Sequence, residues 1–154
     1  MSEQEKLIEE LYEATINDPH NTHRVVDLCE VDSILAQRIL LETGVNVEGF
    51  TITLDNFGIN HIVSRHGNSD KEALRGQIAV TKLDVIKIID VIQEADTINL
   101  EIEMFNNGVK RETLIFTKKF EDKYFLVIEI RRVTKKGKKN RLVLKTLYII
   151  KDKN

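Results

Sequence analysis

Two histidines, two arginines and a glutamine fall within seventeen residues, in the stretch "HIVSRHGNSDKEALRGQ" that runs from His61 to Gln77. The 154-residue chain has only four histidines and seven glycines, and this stretch takes two of each. His61 and Arg65 are four apart, so on a helix they share a face, and Phe57 lies on that same side. His66 would sit at the helix end, where the dipole favours a cation. "RGQ" then returns a guanidinium, Arg75, and an amide, Gln77, at a glycine that lets the backbone turn sharply or approach a ligand.

These groups suit phosphodiester cleavage. RNA carries its own nucleophile, the 2′-hydroxyl. Its cleavage needs a base near neutral pKa, an acid for the departing 5′-oxygen, and fixed cations around a phosphate whose charge grows in the transition state. Histidine fits the first two tasks and arginine, by forked donation, the third. No metal or cofactor is required. His61 and His66 are five apart rather than the four that puts two ligands on one turn, and there is no HExxH and no cysteine pair. Walker, GxGxxG and GxSxG motifs are also absent. His20 and His23, in "DPHNTHR", read as loop and capping-region residues.

A second polar set interrupts apolar strands. In "KYFLVIEIRRV", Tyr124, Leu126, Ile128 and Ile130 share one face, and Phe125, Val127, Glu129 and Arg131 the other. In "RLVLKTLYII", Lys145 and Thr146 break the apolar run and, in a regular strand, face opposite ways. A lysine there commonly protects a sheet edge.

The elements that must hold these residues can be read from period and caps. Ser2 with Glu5 predicts a capping box for a first helix, ended by "NDP" at 17–19. A short helix is expected over 22–30. Asp32 and Gly44 bracket a third helix, "SILAQRILLET". "FTITLD" reads as a strand, and Asp55 caps a fourth helix, "NFGINHIVSRH", ending at Gly67. A loop with at most one helical turn follows. Thr81 and Asp84 open a fifth helix, "KLDVIKIIDVIQEA". The period then changes to two, giving four strands: "TINLEIEMF", "VKRETLIFTKKF", "KYFLVIEIRRV" and "NRLVLKTLYII". Their separators "NNG", "ED" and "KKGKK" suit hairpins. The expected fold is α+β, with N-terminal helices followed by a four-stranded antiparallel sheet packed on one face by helices. One domain, 1–154, is expected.

Composition agrees with an ordinary globular chain, 42% hydrophobic and 31% charged. The single cysteine, Cys29, reads as a buried thiol, and a reducing, cytoplasmic compartment is expected. The acidic amphipathic start does not read as a signal peptide, and no apolar run reaches bilayer length. The net charge of −2 hides an asymmetry: Arg131 to Lys153 holds ten basic residues and one acid, Asp152. A basic end on an acidic body suits a polyanion, although a solvated lysine-rich hairpin has the same composition.

In combination, "GFTITLDNFGINHIVSRHG", "RGQIAVTKLDVIKIIDVI", "LVIEIRRV" and "LVLKTLY" resemble the phage-associated nuclease domains of the Barnase–EndoU–colicin–RelE (BECR) group. The resemblance covers 44–151, with 1–43 a helical N-terminal segment. It implies a four-stranded BECR-like sheet and a metal-independent endoribonuclease, toxin-like, acting on RNA (tRNA included). An inhibitor or immunity protein is the implied partner, and no membrane is. It assigns His61, Arg65, His66, Lys145 and Thr146 to catalysis, and Arg75, Gln77 and Arg131 to substrate; Glu129, on the same strand face as Arg131, is added to the substrate set. Acid and base are not distinguished by sequence. Such domains usually end larger phage or mobile-element polyproteins, and the helical segment here does not look like a delivery module. Two other readings stay open: a non-catalytic RNA- or protein-binding module on the same fold, and a phage structural or regulatory protein whose cleft is filled by its own N-terminal helices.

Overall fold

Ser2 and Glu5 form the expected reciprocal cap. The Ser2 hydroxyl accepts from the Glu5 N–H at 3.1 Å, and the Glu5 carboxylate accepts from the Ser2 N–H at 3.0 Å. In this computed structural model, which describes residues 1–133, 136 and 138–152, that cap opens α1 (Glu3–Ile16), which buries Ile8, Leu11 and Thr15. The helix expected over 22–30 is instead a strand, β1 (Val25–Glu30). Its β-branched Val25 and Val26 favour an extended chain, and in so short a window the pairing partner decides.

Asp32 caps α2 (Ser33–Thr43) by accepting from Leu35 N–H, and Gly44 ends it in the left-handed region at φ 81°. Strand β2 (Thr51–Asp55) leads without a loop into α3 (Asn56–His66). The loop after Gly67 holds a short α4 (Ser69–Leu74), capped by Asn68, and then a two-residue strand, β3 (Gln77–Ile78). Thr81 and Asp84 make the expected capping box, but the single fifth helix is two, α5 (Lys82–Ile86) and α6 (Ile88–Gln93), broken at Lys87 with ψ 5°. The run "VIKIIDVI" is rich in β-branched residues of low helix propensity, so packing rather than propensity sets its course.

The last four elements are strands as expected: β4 (Thr97–Met104), β5 (Lys110–Lys119), β6 (Lys123–Arg131) and β7 (Arg141–Ile150). Within the β6–β7 connection, Thr134, Lys135 and Gly137 lie outside the described residues. The sheet is larger than the expected four strands. Among the described residues it has seven, in the order β1-β2-β7-β6-β5-β4, with β3 also on β7. The four C-terminal strands form an antiparallel meander, while β2 joins β7 in parallel. Of the three added strands, β2 is the one expected from "FTITLD" but not as part of this sheet, β1 stands where a helix is expected, and the two-residue β3 is not expected.

The alternation predicted for β6 holds. Tyr124, Leu126, Ile128 and Ile130 are buried, and the Tyr124 hydroxyl donates to Asp84 at 2.5 Å. On this face α6 packs on β5 and β6, α2 on β4, and α1 on α3 and α5. Phe116, Leu126, Leu142 and Leu147 are wholly buried there, each contributing about 1.5–3 kcal/mol of transfer free energy. Cys29 is half-buried against this core rather than enclosed by it.

Candidate active site

The site begins with how tightly α3 is seated. The Asp55 carboxylate accepts from Gly58 N–H at 2.9 Å, closing the first turn directly on the end of β2. A Cβ at Gly58 would lie 2.8 Å from the backbone oxygen of Leu144, so only glycine permits this approach of helix to β7. Ile59 and Ile62 are buried, while Phe57, His61 and Arg65, spaced by four, remain exposed along one stripe.

Opposite that stripe β7 departs from a regular strand. Val127 pairs with Thr146 and Ile128 with Leu144, so Lys145 has no cross-strand partner and forms a β-bulge. The bulge corrects the expectation that Lys145 and Thr146 face opposite ways. Leu142 and Leu144 are buried before it, Leu147 and Ile149 after it, and Lys145 and Thr146 are both half-exposed. One extra residue lets two consecutive polar side chains share a face without turning a leucine out of the core.

Helix and bulge enclose a cleft of about 510 Å³. Asp55, Phe57, Gly58 and His61 form the helix wall, Arg131, Leu144, Lys145 and Thr146 the sheet wall, and His23 part of the rim. The Thr146 hydroxyl is buried and has no hydrogen-bond partner among the described residues. Burial pushes the His61 pKa below the ordinary imidazole value, and His66, Arg65 and Lys145 push it the same way by charge. The ring is therefore neutral at physiological pH and able to accept a proton.

Glu129 lies among three cations: Arg131 Nε at 2.9 Å, Lys145 Nζ at 3.5 Å and Arg111 Nε at 3.7 Å. Burial opposes its ionisation, but the Arg131 hydrogen bond and the Lys145 charge outweigh it and hold its carboxyl below the usual range. It stays a carboxylate that neutralises part of the site's charge. The acid docked on Arg131 and Lys145 thus comes from β6 itself, while Glu9 and Glu13 of α1 pair with Lys82 elsewhere.

Behind His61 sits a second polar cluster. The His66 and His61 rings are 6.0 Å apart, and His66 also lies 5.8 Å from the Tyr148 ring. Nδ1 of His66 is 3.2 Å from Glu72 Oε2, and Nη1 of Arg75 donates to Glu72 Oε1 at 2.8 Å. Glu72 is fully buried, so its charge is met by these two partners. Arg75 also donates to the Arg65 carbonyl at 2.8 Å, tying α4 to the end of α3.

The structure thus brings His61, Arg131, Lys145 and Thr146 into one cleft, with Glu129 against its cations. Arg65 is exposed beside His61 and close enough to affect its pKa. His66 and Arg75 are engaged with Glu72. Gln77 is half-buried in β3 on the far end of β7, with its side-chain oxygen lacking a hydrogen-bond partner among the described residues. Sequence reasoning passed over the roles of His23, Glu72 and Tyr148. Glu72 reads as one more surface acid in "SDKEAL", and His23 reaches the cleft through a loop that no spacing encodes.

The basic C-terminal stretch is not one patch. Among its described residues, Arg132 pairs with Glu112, and Lys139 and Arg141 with Asp27, while Arg131 and Lys145 line the cleft. Lys135 and Lys153 lie outside the described residues. Among the described residues no three His, Cys, Asp or Glu side chains converge as metal ligands, and no helix is long and apolar enough to cross a membrane.

No curated protein and no solved structure matches the chain. A family does, over residues 30–154, a span that holds the bulge, the α3 stripe and the Glu72 cluster. The chain therefore belongs to the PBECR3 family, described as phage-Barnase-EndoU-ColicinE5/D-RelE like nuclease3, and is a phage-associated nuclease domain.

Proposed function

We propose that this nuclease domain is a toxin-like endoribonuclease that cleaves RNA, tRNA included, through the substrate's own 2′-hydroxyl. The observation that carries the reading is the cleft in which a neutral His61 faces Lys145 and Thr146, raised together by the bulge, beside Arg131. On this reading His61 takes the 2′-hydroxyl proton as the oxygen attacks phosphorus. Lys145 and Arg131 offset the growing charge on the non-bridging oxygens, and Thr146, lining the cleft beside Lys145, helps to position the phosphate. The P–O5′ bond breaks, and His66, its Nδ1 held by Glu72, returns a proton to the leaving oxygen from Nε2. Arg65 adds positive potential at the mouth.

Glu129 already occupies Lys145 and Arg131, which favours a second reading, an RNA-binding module without catalysis. Incubation with total RNA, with and without chelator, followed by end-group analysis, separates the two. The expected products carry a 2′,3′-cyclic phosphate and a 5′-hydroxyl and form regardless of chelator. His61→Ala lowers the rate roughly 10²–10⁴-fold with the fold retained. Undiminished cleavage of a substrate with 2′-deoxyribose at the scissile position refutes attack by the 2′-hydroxyl. Binding without cleavage supports the second reading.

A further inference from the structure

Phe57 is the outlier among the cleft residues. It is a large apolar ring left 51% exposed in the first turn of α3, one helical turn before His61. His23 stacks on it, ring centroids 4.9 Å apart and planes 21° from parallel. Both line the cleft with Lys145 and Arg131.

The loop that carries His23 is built onto α3 rather than draped over it. Asn56, fully buried, accepts from Arg24 N–H at 2.8 Å through its side chain, and its own backbone N–H donates to the Arg24 carbonyl at 3.1 Å. The side-chain amides of Asn56 and Asn60 both donate to the Asn21 side-chain oxygen. Asn21 itself has φ 51°, a left-handed conformation that asparagine adopts more readily than most residues. Asp18 closes the loop by accepting from His20 N–H, Thr22 N–H and the Arg24 guanidinium. These bonds fix the residues on either side of His23, so the ring's position over Phe57 is set by the fold. His23 also precedes the residues matched by the family.

We propose that His23 and Phe57 form a nucleobase subsite, stacking against the RNA base next to the phosphate held by Lys145 and Arg131. The proposal rests on the RNA-cleaving reading above. An exposed, pre-ordered pair of flat rings beside phosphate-binding cations is what a single-stranded nucleotide requires: charge for the backbone, and a π-face that accepts any base. The stack is held before ligand arrives, so little ordering opposes binding. A segment ahead of the family-matched residues thereby supplies half of a substrate contact.

The test uses two fluorescent 2′-O-methyl oligonucleotides of equal length, one with mixed bases and one wholly abasic, read by anisotropy on the full chain. Both present the same backbone charge, and neither offers a 2′-hydroxyl for attack. Wild type is expected to prefer the base-bearing strand roughly 5- to 100-fold, the range of one stacked base. Phe57→Ala and His23→Ala are expected to lose most of that preference while holding the abasic strand as before. His23→Phe is expected to restore what His23→Ala loses. Circular dichroism confirms the fold of each variant. A wild type indifferent to bases, a Phe57→Ala variant that keeps the full preference, or a His23→Phe variant that fails to restore it overturns the subsite. Cleavage of unmodified RNA, assayed in parallel, reports separately on the catalytic reading: intact cleavage with no base preference sinks only the subsite, and base preference without cleavage sinks only the catalysis.

Discussion

His61 is expected to titrate below the ordinary imidazole value, and Lys145→Met is expected to raise its pKa. Burial is the largest cause of the depression, followed by the charges of His66, Arg65 and Lys145. Removing Lys145 deletes the smallest of these and leaves the rest. The Lys145 side chain is 42% exposed and paired with Glu129, so its field reaches His61 through a water-like medium. The rise is therefore small beside the depression that burial and the charges of His66 and Arg65 sustain. Proton NMR titration of the imidazole signals reads this directly, with only four histidines to resolve and His61→Gln identifying the signal. The acid limb of kcat/KM for RNA cleavage shifts upward with the same variant, since His61 must be neutral to act as base. Stability follows the same sign: the unfolded chain binds the His61 proton more readily, so this group's contribution falls as pH drops below about 6.5 and levels off once the folded ring is protonated. A wild-type His61 titrating at or above the ordinary imidazole value, or one whose pKa drops in Lys145→Met, refutes the electrostatic picture of the cleft.

Gly58→Ala is expected to destabilise the fold by about 1–3 kcal/mol, because the atom it would strike is the Leu144 backbone oxygen. A thermal melt several degrees lower than wild type checks this, and an unchanged midpoint would show that α3 is not seated on β7 as described. Glu72→Ala is expected to cost about 1–3 kcal/mol, less than a wholly buried ion pair, since Arg75 is 42% exposed and can turn to water. Denaturant titration measures it, and the single-turnover cleavage rate falls too as His66 loses its hold. Arg131→Gln is expected to weaken RNA binding alike across sequences and to reduce the slope of log affinity against log salt by about one. A slope equal to wild type would remove Arg131 from the phosphate contacts.

Legibility of the sequence depended on how local each signal was. The caps at Ser2, Asp32, Asp55 and Thr81 are satisfied within three residues of chain, and all four accept the predicted backbone N–H. The meander strands were legible because period-two alternation over eight to ten residues is hard to produce otherwise. Strand β1 was not: "VVDLCE" carries no alternation strong enough to outweigh a helical reading, and its state is decided by β2, more than twenty residues on. The parallel join of β2 to β7 leaves no trace in either segment. In the site, His61 with Phe57 and Arg65 followed from helical spacing alone. His23 and Glu72 did not, since each is positioned by partners distant in sequence or by burial that its neighbours do not announce.

The bulge at Lys145 ties these strands of argument together. The outer edge of β7 is paired at both ends, by β2 at 141–143 and by β3 at 149–150. Between them α3 lies across the edge, pressed to Leu144 at Gly58. A regular strand there would have to alternate, turning either Lys145 or Thr146 into the core beside Leu126 and Ile128. The extra residue removes that conflict, and it is tolerated where a helix, not another strand, is the neighbour on that edge. The most local polar signal in the strand, the dipeptide Lys145–Thr146, was therefore visible from the start, while its orientation waited on a gap in pairing that only the assembled sheet defines. His61 faces that gap because the same helix that fills it must present one stripe to solvent.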